Sequence, residues 1–413
     1  MRSPVNSAGT SRVREIMAKR IIIIIIMIWG AAPPDLVAAL SENLKEAVSY
    51  YNGCESLTPY YPGENVHPDP ILQPGKIGKA FLIERRTVNM IANPDFDSDG
   101  NSWLLIGQPE ILSNGGFASP KSCAVTNADY IRQVIPGLKE KTLYCLSIYA
   151  RSPDGGGLDL SMNSGSLERL QTEPLPNEYT RIKLPFIAHA EVGTATIKST
   201  TGKRVIVDGV QLESGKSWPA SFFAAAGTQR SGEWVDIPAT PQTYNPSRGT
   251  VAFWLKPQWI GEVDSGMAFF SAFENPNRGW HDQKSVFLIQ AYVNPKEKDW
   301  HNSIIISMKD KFGREMEYRI PLGEKFRANE WFHCAVTWDI IPGRESVSTL
   351  YINAQKNAEK HFLSDGMQQP ACVFMGYAAG AYADALMDEF YIFSRPLTEE
   401  EVCELYQTAV PFK

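Results

Sequence analysis

From about residue 42 onward, apolar and polar positions alternate with a period of two far more often than with a helical period. In "GTVAFWLKP", Val251, Phe253 and Leu255 share one side, and Ala252 and Trp254 the other. "WFHCAVTWD" places Phe332, Cys334, Val336 and Trp338 on a single face. "TLYCLSIYAR", "KRVIVDGVQLE", "SIIISMKD" and "STLYINAQ" are further β-rich runs, separated by turn-forming stretches such as "SPDGGG", "NSGS" and "ENPNRG". Alternation puts successive side chains on opposite faces of a strand. Many short strands without a strand–helix–strand rhythm predict an all-β protein of antiparallel β-sandwiches. One helix is expected, at the C-terminus. In "SRPLTEEEVCELYQ", Thr398 can cap while Glu401 reaches back, and Val402, Leu405 and Tyr406 form an apolar face.

The 413 residues suffice for two domains, and a net charge of −6 with no Lys/Arg-dense stripe argues against nucleic acid as a partner. Residues 1–39 read as a leader. Met17 is the expected start, Lys19 and Arg20 precede the apolar run from Ile21 to Trp29, and "VAA" at Val37–Ala39 supplies small residues for cleavage. The run falls short of the roughly 20 residues a spanning helix needs. A secreted or cell-surface protein is therefore expected, with an uncleaved anchor as the alternative. Export leaves Cys54, Cys123, Cys145, Cys334, Cys372 and Cys403 open to pairing in a pattern that spacing does not fix. The position of Cys334 on an apolar strand face favours a buried thiol there.

The C-terminal half resembles a laminin G-like domain of the concanavalin A-like lectin/glucanase superfamily. The resemblance rests on "RGTVAFWLKPQW", "NEWFHCAVTWD", "STLYINAQ" and "ALMDEFYIFSRPLTEEEVCELY", in that order. One departure is Asn353-Ala354, where the family hairpin carries Asn-Gly. A two-residue type I′ turn needs φ > 0 twice, which Ala disfavours, so a longer turn or another type is expected. Residues 89–221 resemble a jelly-roll carbohydrate-binding module of the galactose-binding-like kind, through "NMIANPDFDSDGNSW", "YIRQVIPGLKEKTLYCLSIYARS" and "VIVDGVQLESG". "AVSYYNG" and "GKIGKAF" before this stretch resemble the first strands of the laminin G-like domain. The expected organisation is thus nested: residues 40–88 open the larger sandwich, 89–221 form the smaller one, and 222–413 complete the larger.

No E-x-D-x-x-E strand, G-x-S-x-G or H-E-x-x-H occurs. In "MDEFYIF", strict alternation sends Asp388 and Glu389 to opposite faces. A non-catalytic binding protein for polysaccharide or glycoconjugate is therefore expected. A structural or adhesive protein that binds a surface protein is the alternative, followed by a divergent glycoside hydrolase. Aromatic rings stack on the C–H faces of sugars while polar neighbours take the hydroxyls. Candidates in turn-rich segments are Trp280 with His281 and Trp300 with His301. In the smaller domain they are Trp103 and Tyr130, by resemblance, and Tyr149, by alternation. The resemblance also implies a structural Ca²⁺ held by Asp97 and Asp208, to which Asp99 of the acidic turn adds an oxygen donor.

Overall fold

A computed structural model describes residues 40–56, 65–67, 71–221, 229–259, 265–275, 278, 282–293, 303–321 and 327–408. The leader, Trp280, His281, Trp300 and His301 lie outside the described residues. After helix α1 (Glu42–Ala47) the chain forms β1 (Val48–Asn52), β2 (Asn65–His67), β3 (Ile71–Pro74), β4 (Lys79–Ile83) and β5 (Thr87–Val88). Ten strands follow: β6 (Leu104–Ile106), β7 (Glu110–Leu112), β8 (Ser122–Val125), β9 (Tyr130–Pro136), β10 (Leu143–Arg151), β11 (Leu158–Asn163), β12 (Leu167–Gln171), β13 (Thr180–Ile187), β14 (Val192–Ser199) and β15 (Val205–Ser214). Next come β16 (Gln229–Arg230), β17 (Trp234–Ile237), β18 (Arg248–Pro257), β19 (Ser265–Phe273), β20 (Val286–Val293), β21 (Ser303–Lys309) and β22 (Glu315–Pro321). The last strands are β23 (Phe332–Asp339), β24 (Glu345–Ile352), β25 (Gln355–Leu363), β26 (Cys372–Met375), β27 (Tyr377–Ala378), β28 (Ala381–Tyr382) and β29 (Ala385–Phe393), before helix α2 (Glu399–Gln407).

The larger sandwich pairs an eight-stranded sheet, ordered β25-β24-β23-β18-β29-β4-β3 with β1 also on β29, with a seven-stranded sheet, β2-β17-β26-β19-β20-β21-β22. One edge of β29 runs along β18, and its other edge is shared, β4 on Ala385–Met387 and β1 on Phe390–Phe393. Strands from both ends of the chain thus meet in one sheet. Between the sheets lie Tyr50, Phe81, Ile83, Val251, Phe253, Leu255, Phe332, Cys334, Val336 and Trp338, as the alternation requires. The outer face of the eight-stranded sheet is covered by both helices. Leu44, Val402 and Leu405 pack there on Tyr351, Tyr391 and Phe393. Helix α2 has the full capping box, and Glu401 also takes a two-point ion pair from Arg395.

The smaller sandwich packs sheet β13-β10-β15-β8-β7 against β12-β11-β14-β9-β6 around a separate core that includes Ile131, Leu146, Ile148, Leu160, Ile197 and Leu212. The chain leaves the larger sandwich through β5 and returns through β16, and these two short strands pair as a neck. All six cysteines are free thiols, four of them fully buried. Burial pushes the Cys123 and Cys145 thiols up to about 12.

Two local expectations are corrected. The β24–β25 hairpin is a two-residue turn in which both Asn353 (φ 49°) and Ala354 (φ 62°) are left-handed. The side chain of Asn353 accepts from the His333 N–H at 2.9 Å, and its own N–H donates to the His333 carbonyl at 2.9 Å. This clamp to β23 leaves no slack for a longer loop. In β29, pairing passes from Ala252↔Tyr391 to Trp254↔Asp388, so Glu389 is an extra residue in a β-bulge, at φ 48°. The bulge breaks the alternation and puts Asp388 and Glu389 on the same, helix-covered side.

Candidate functional site: an aromatic platform on the smaller sandwich

The sheet face formed by β13, β10 and β15 is polar where a sandwich exterior would be open water, yet much of it is shielded. Tyr149 on β10 stands opposite Asp208 on β15 and Arg181 on β13. Ser147 and Gln211 form the next pair and are fully buried. Arg181 lies over the Tyr149 ring at 5.1 Å and reaches Ser147 Oγ at 3.2 Å and Gln211 Oε1 at 3.3 Å. Its buried Nε has no hydrogen-bond partner among the described residues.

The loop from β7 to β8 brings Phe117 onto this face. Its ring stacks on Tyr149 with centroids 3.6 Å apart and planes inclined by 16°, and it meets Tyr179 edge-on at 5.8 Å. Arg151 covers Tyr179 at 5.2 Å. One face of Phe117 rests on Tyr149, and the residue remains 47% exposed. Asp208 holds the loop in place. One carboxylate oxygen accepts from the Phe117 N–H at 2.6 Å and the Ala118 N–H at 2.8 Å, and the other from Gly209 N–H at 2.7 Å. Gly116 is required by this approach, since a Cβ there would stand 2.1 Å from the Lys121 carbonyl oxygen and 2.9 Å from the carboxylate. Burial raises the Asp208 carboxyl to about 6 against the pull of these N–H donors.

The remaining sequence candidates separate. Trp103 is 6% exposed, stacks on Phe96 and donates its indole N–H to the Asn93 carbonyl at 3.0 Å, so its ring belongs to the core. Tyr130 lies on the other sheet, beneath the Arg132 guanidinium at 5.1 Å. It does not join Tyr149. The three aspartates do not converge either. Asp99 binds the Lys121 ammonium at 2.6 Å, which also donates to the Asp97 carbonyl at 3.0 Å. Asp208 is committed to backbone N–H groups. Among the described residues no cluster of three or more His, Cys, Asp or Glu side chains is arranged to hold a metal ion. Phe117 was missed by alternation because it lies in no strand. The signal was "NGGF", a single large apolar residue after a glycine pair.

The adjacent carboxyls of β29 are a separate case. Asp388 accepts from the Lys76 and Ile77 N–H groups at 2.7 and 2.9 Å, and Glu389 from the Tyr51 and Tyr391 hydroxyls at 2.9 and 2.7 Å. Burial pushes them up to about 8 and about 7. Beside them His333 is fully buried, and burial lowers it to about 3. No water-sized space separates Glu389, Tyr391, His333 and the overlying Leu405. The hydrogen bonds of Asp388 and Glu389 tie β29 to β1 and to the turn before β4.

Residues 227–403 match a family model described as the concanavalin A-like lectin/glucanases superfamily. No curated protein matches the chain. Among solved structures, the receptor-binding domain of botulinum neurotoxin C/D mosaic serotype is similar at 15% identity and a TM-score of 0.33, over 43% of this chain and 40% of that one. The receptor-binding domain of botulinum neurotoxin type G is similar at 16% and 0.30, over 39% and 38%. The chain thus spans about two fifths of the length of these domains.

Proposed function

We propose that this is a non-catalytic glycan-binding protein that acts outside the cell and engages its ligand on the Phe117–Tyr149–Tyr179 face of the smaller sandwich. The observation that carries the reading is the exposed Phe117 ring, stacked on Tyr149 and flanked by the Arg181 and Arg151 guanidinium groups. An apolar ring flanked by guanidinium groups suits a sugar, whose C–H face packs on the ring while its hydroxyl oxygens accept from the N–H donors. The concanavalin A-like character of residues 227–403 fits a binding role and leaves the ligand open. Nothing in the reading draws on Asp388 and Glu389, which are sealed under helix α2.

The test is a glycan array followed by titration of the best ligand. Phe117→Ala removes the stacking surface from a loop whose backbone Asp208 still holds. The variant is expected to keep its melting temperature and bind about tenfold more weakly, equivalent to about 1.4 kcal/mol. A blank array, or undiminished binding by the variant, overturns the proposal.

A further inference from the structure

The other sheet of the smaller sandwich carries a second, chemically different surface. Residues directly opposite in adjacent antiparallel strands point to the same side. Arg132 on β9 opposes Thr196 on β14, Thr196 opposes Ser161 on β11, and Ser161 opposes Arg169 on β12. One row therefore runs arginine–threonine–serine–arginine across four strands, its ends roughly 14 Å apart at the usual strand spacing. In the next row Lys198 opposes Asp159. These side chains line an open groove of about 390 Å³.

Asp159 organises the groove. Its side chain is 2% exposed, and its two oxygens take Arg169 Nε at 2.8 Å and Nη2 at 2.5 Å, with Lys198 Nζ at 3.5 Å. Burial pushes its carboxyl up, but Arg169 and Lys198 more than offset this and hold it below the usual carboxylate range. The carboxylate fixes two cations on the surface and balances only one of them. Arg132 makes no ion pair among the described residues and is held instead over the Tyr130 ring. Three cations face solvent against one sunken acid, on a chain whose net charge is −6.

We infer that this groove is a binding site for an acidic polysaccharide, its carboxylate or sulfate groups meeting Arg132, Lys198 and Arg169 and its hydroxyls meeting Thr196 and Ser161. Two cations roughly 14 Å apart, with a hydroxyl-lined floor between them, suit an extended chain better than a single small anion. The arrangement disfavours nucleic acid. None of the described residues that line the groove is aromatic, so it offers no ring for base stacking. The inference does not depend on the aromatic platform, which is on the opposite sheet.

The test uses the full chain with polygalacturonate, dextran sulfate, neutral dextran and a 20-nucleotide oligothymidylate, titrated at 50 and 500 mM NaCl. Expected are binding of at least one acidic polysaccharide but not of dextran, weakening of at least tenfold at the higher salt, and a further loss of at least tenfold in the Arg132→Gln/Lys198→Gln double variant. That variant keeps the Arg169–Asp159 pair, and an unchanged melting temperature verifies its fold. Comparing the two acidic polymers tells carboxylate from sulfate recognition. Phe117→Ala should leave this binding intact. The inference is overturned if neither acidic polymer binds, if the double variant binds as wild type, if Phe117→Ala abolishes the binding, or if the oligothymidylate binds as tightly.

Discussion

Ala354 occupies a backbone region that L-residues enter at a cost of about 1–2 kcal/mol, with φ at 62°. Asn353, tied to His333, imposes the turn, and Ala354 bears the strain. Ala354→Gly should therefore raise stability by about 0.5–1 kcal/mol, since glycine's greater unfolded-state entropy offsets part of the relief. The check is the urea midpoint at constant m-value; an unchanged or lower midpoint would show that Ala354 is not strained. Asn-Ala was visible in the sequence as an anomaly, but the outcome was not, because the clamp comes from a strand about 20 residues upstream. Glu389 teaches the same lesson. A period of two reads correctly along Phe332–Trp338, where the register is unbroken, and fails in β29, where one bulged residue reverses it. Phe117 shows a further limit, since a loop residue acquires its role from what it lands on.

At the scale of elements, β29 is the seam of the larger sandwich. Its outer edge is built by β1 and β4, which precede the smaller sandwich in the chain, and Tyr50, Phe81 and Ile83 fill the common core. A fragment starting at Gln229 would expose that edge and leave the core unfilled. It should lack a cooperative thermal transition and near-UV ellipticity, and it should associate through the bare strand. A sharp melt matching that of the full chain would show that these strands are dispensable. The strands themselves were legible, because alternation and turn residues are local. "AVSYYNG" and "GKIGKAF" were assigned to the distant C-terminal half only through family resemblance. Periodicity identifies a strand but carries no information about which partner it pairs with.

For the molecule as a whole, the joint between the sandwiches is a buried charge network. Glu84 takes the Ser221 N–H at 2.8 Å and the Ser221 hydroxyl at 2.6 Å and pairs with Arg230, which also binds Glu233. Lys216, from the end of the smaller sandwich, meets Asp384 of the larger at 2.7 Å with no exposed side-chain surface. Burial raises Glu233 to about 7, as it does Glu389, and Asp388 to about 8. Unfolded, these groups titrate near pH 4. Between roughly pH 4 and these raised values the native state holds protons that the unfolded chain has released, so stability falls as pH rises through that window. The slope is about 1.4 kcal/mol per pH unit for each such group. The urea midpoint should therefore drop between pH 5 and pH 8, and Glu233→Gln should flatten part of the decline while Glu389→Gln flattens another part. A midpoint constant or rising over this range would refute the raised values. None of this was legible in the sequence, where Glu84, Lys216, Glu233 and Asp384 look like ordinary surface charges.

The sequence alone determined that the chain is built of antiparallel β-strands with one capped C-terminal helix, and which residues face the cores where the register is regular. Those features follow from side-chain period, turn chemistry and capping, all of which act over a few residues. Tertiary structure alone decided that Glu389 bulges, that Phe117 caps Tyr149, that Arg132 and Arg169 share a groove, and that acids and bases well over a hundred residues apart are buried together at the joint. Each of these depends on long-range pairing and desolvation, and both are properties of the assembled sheets.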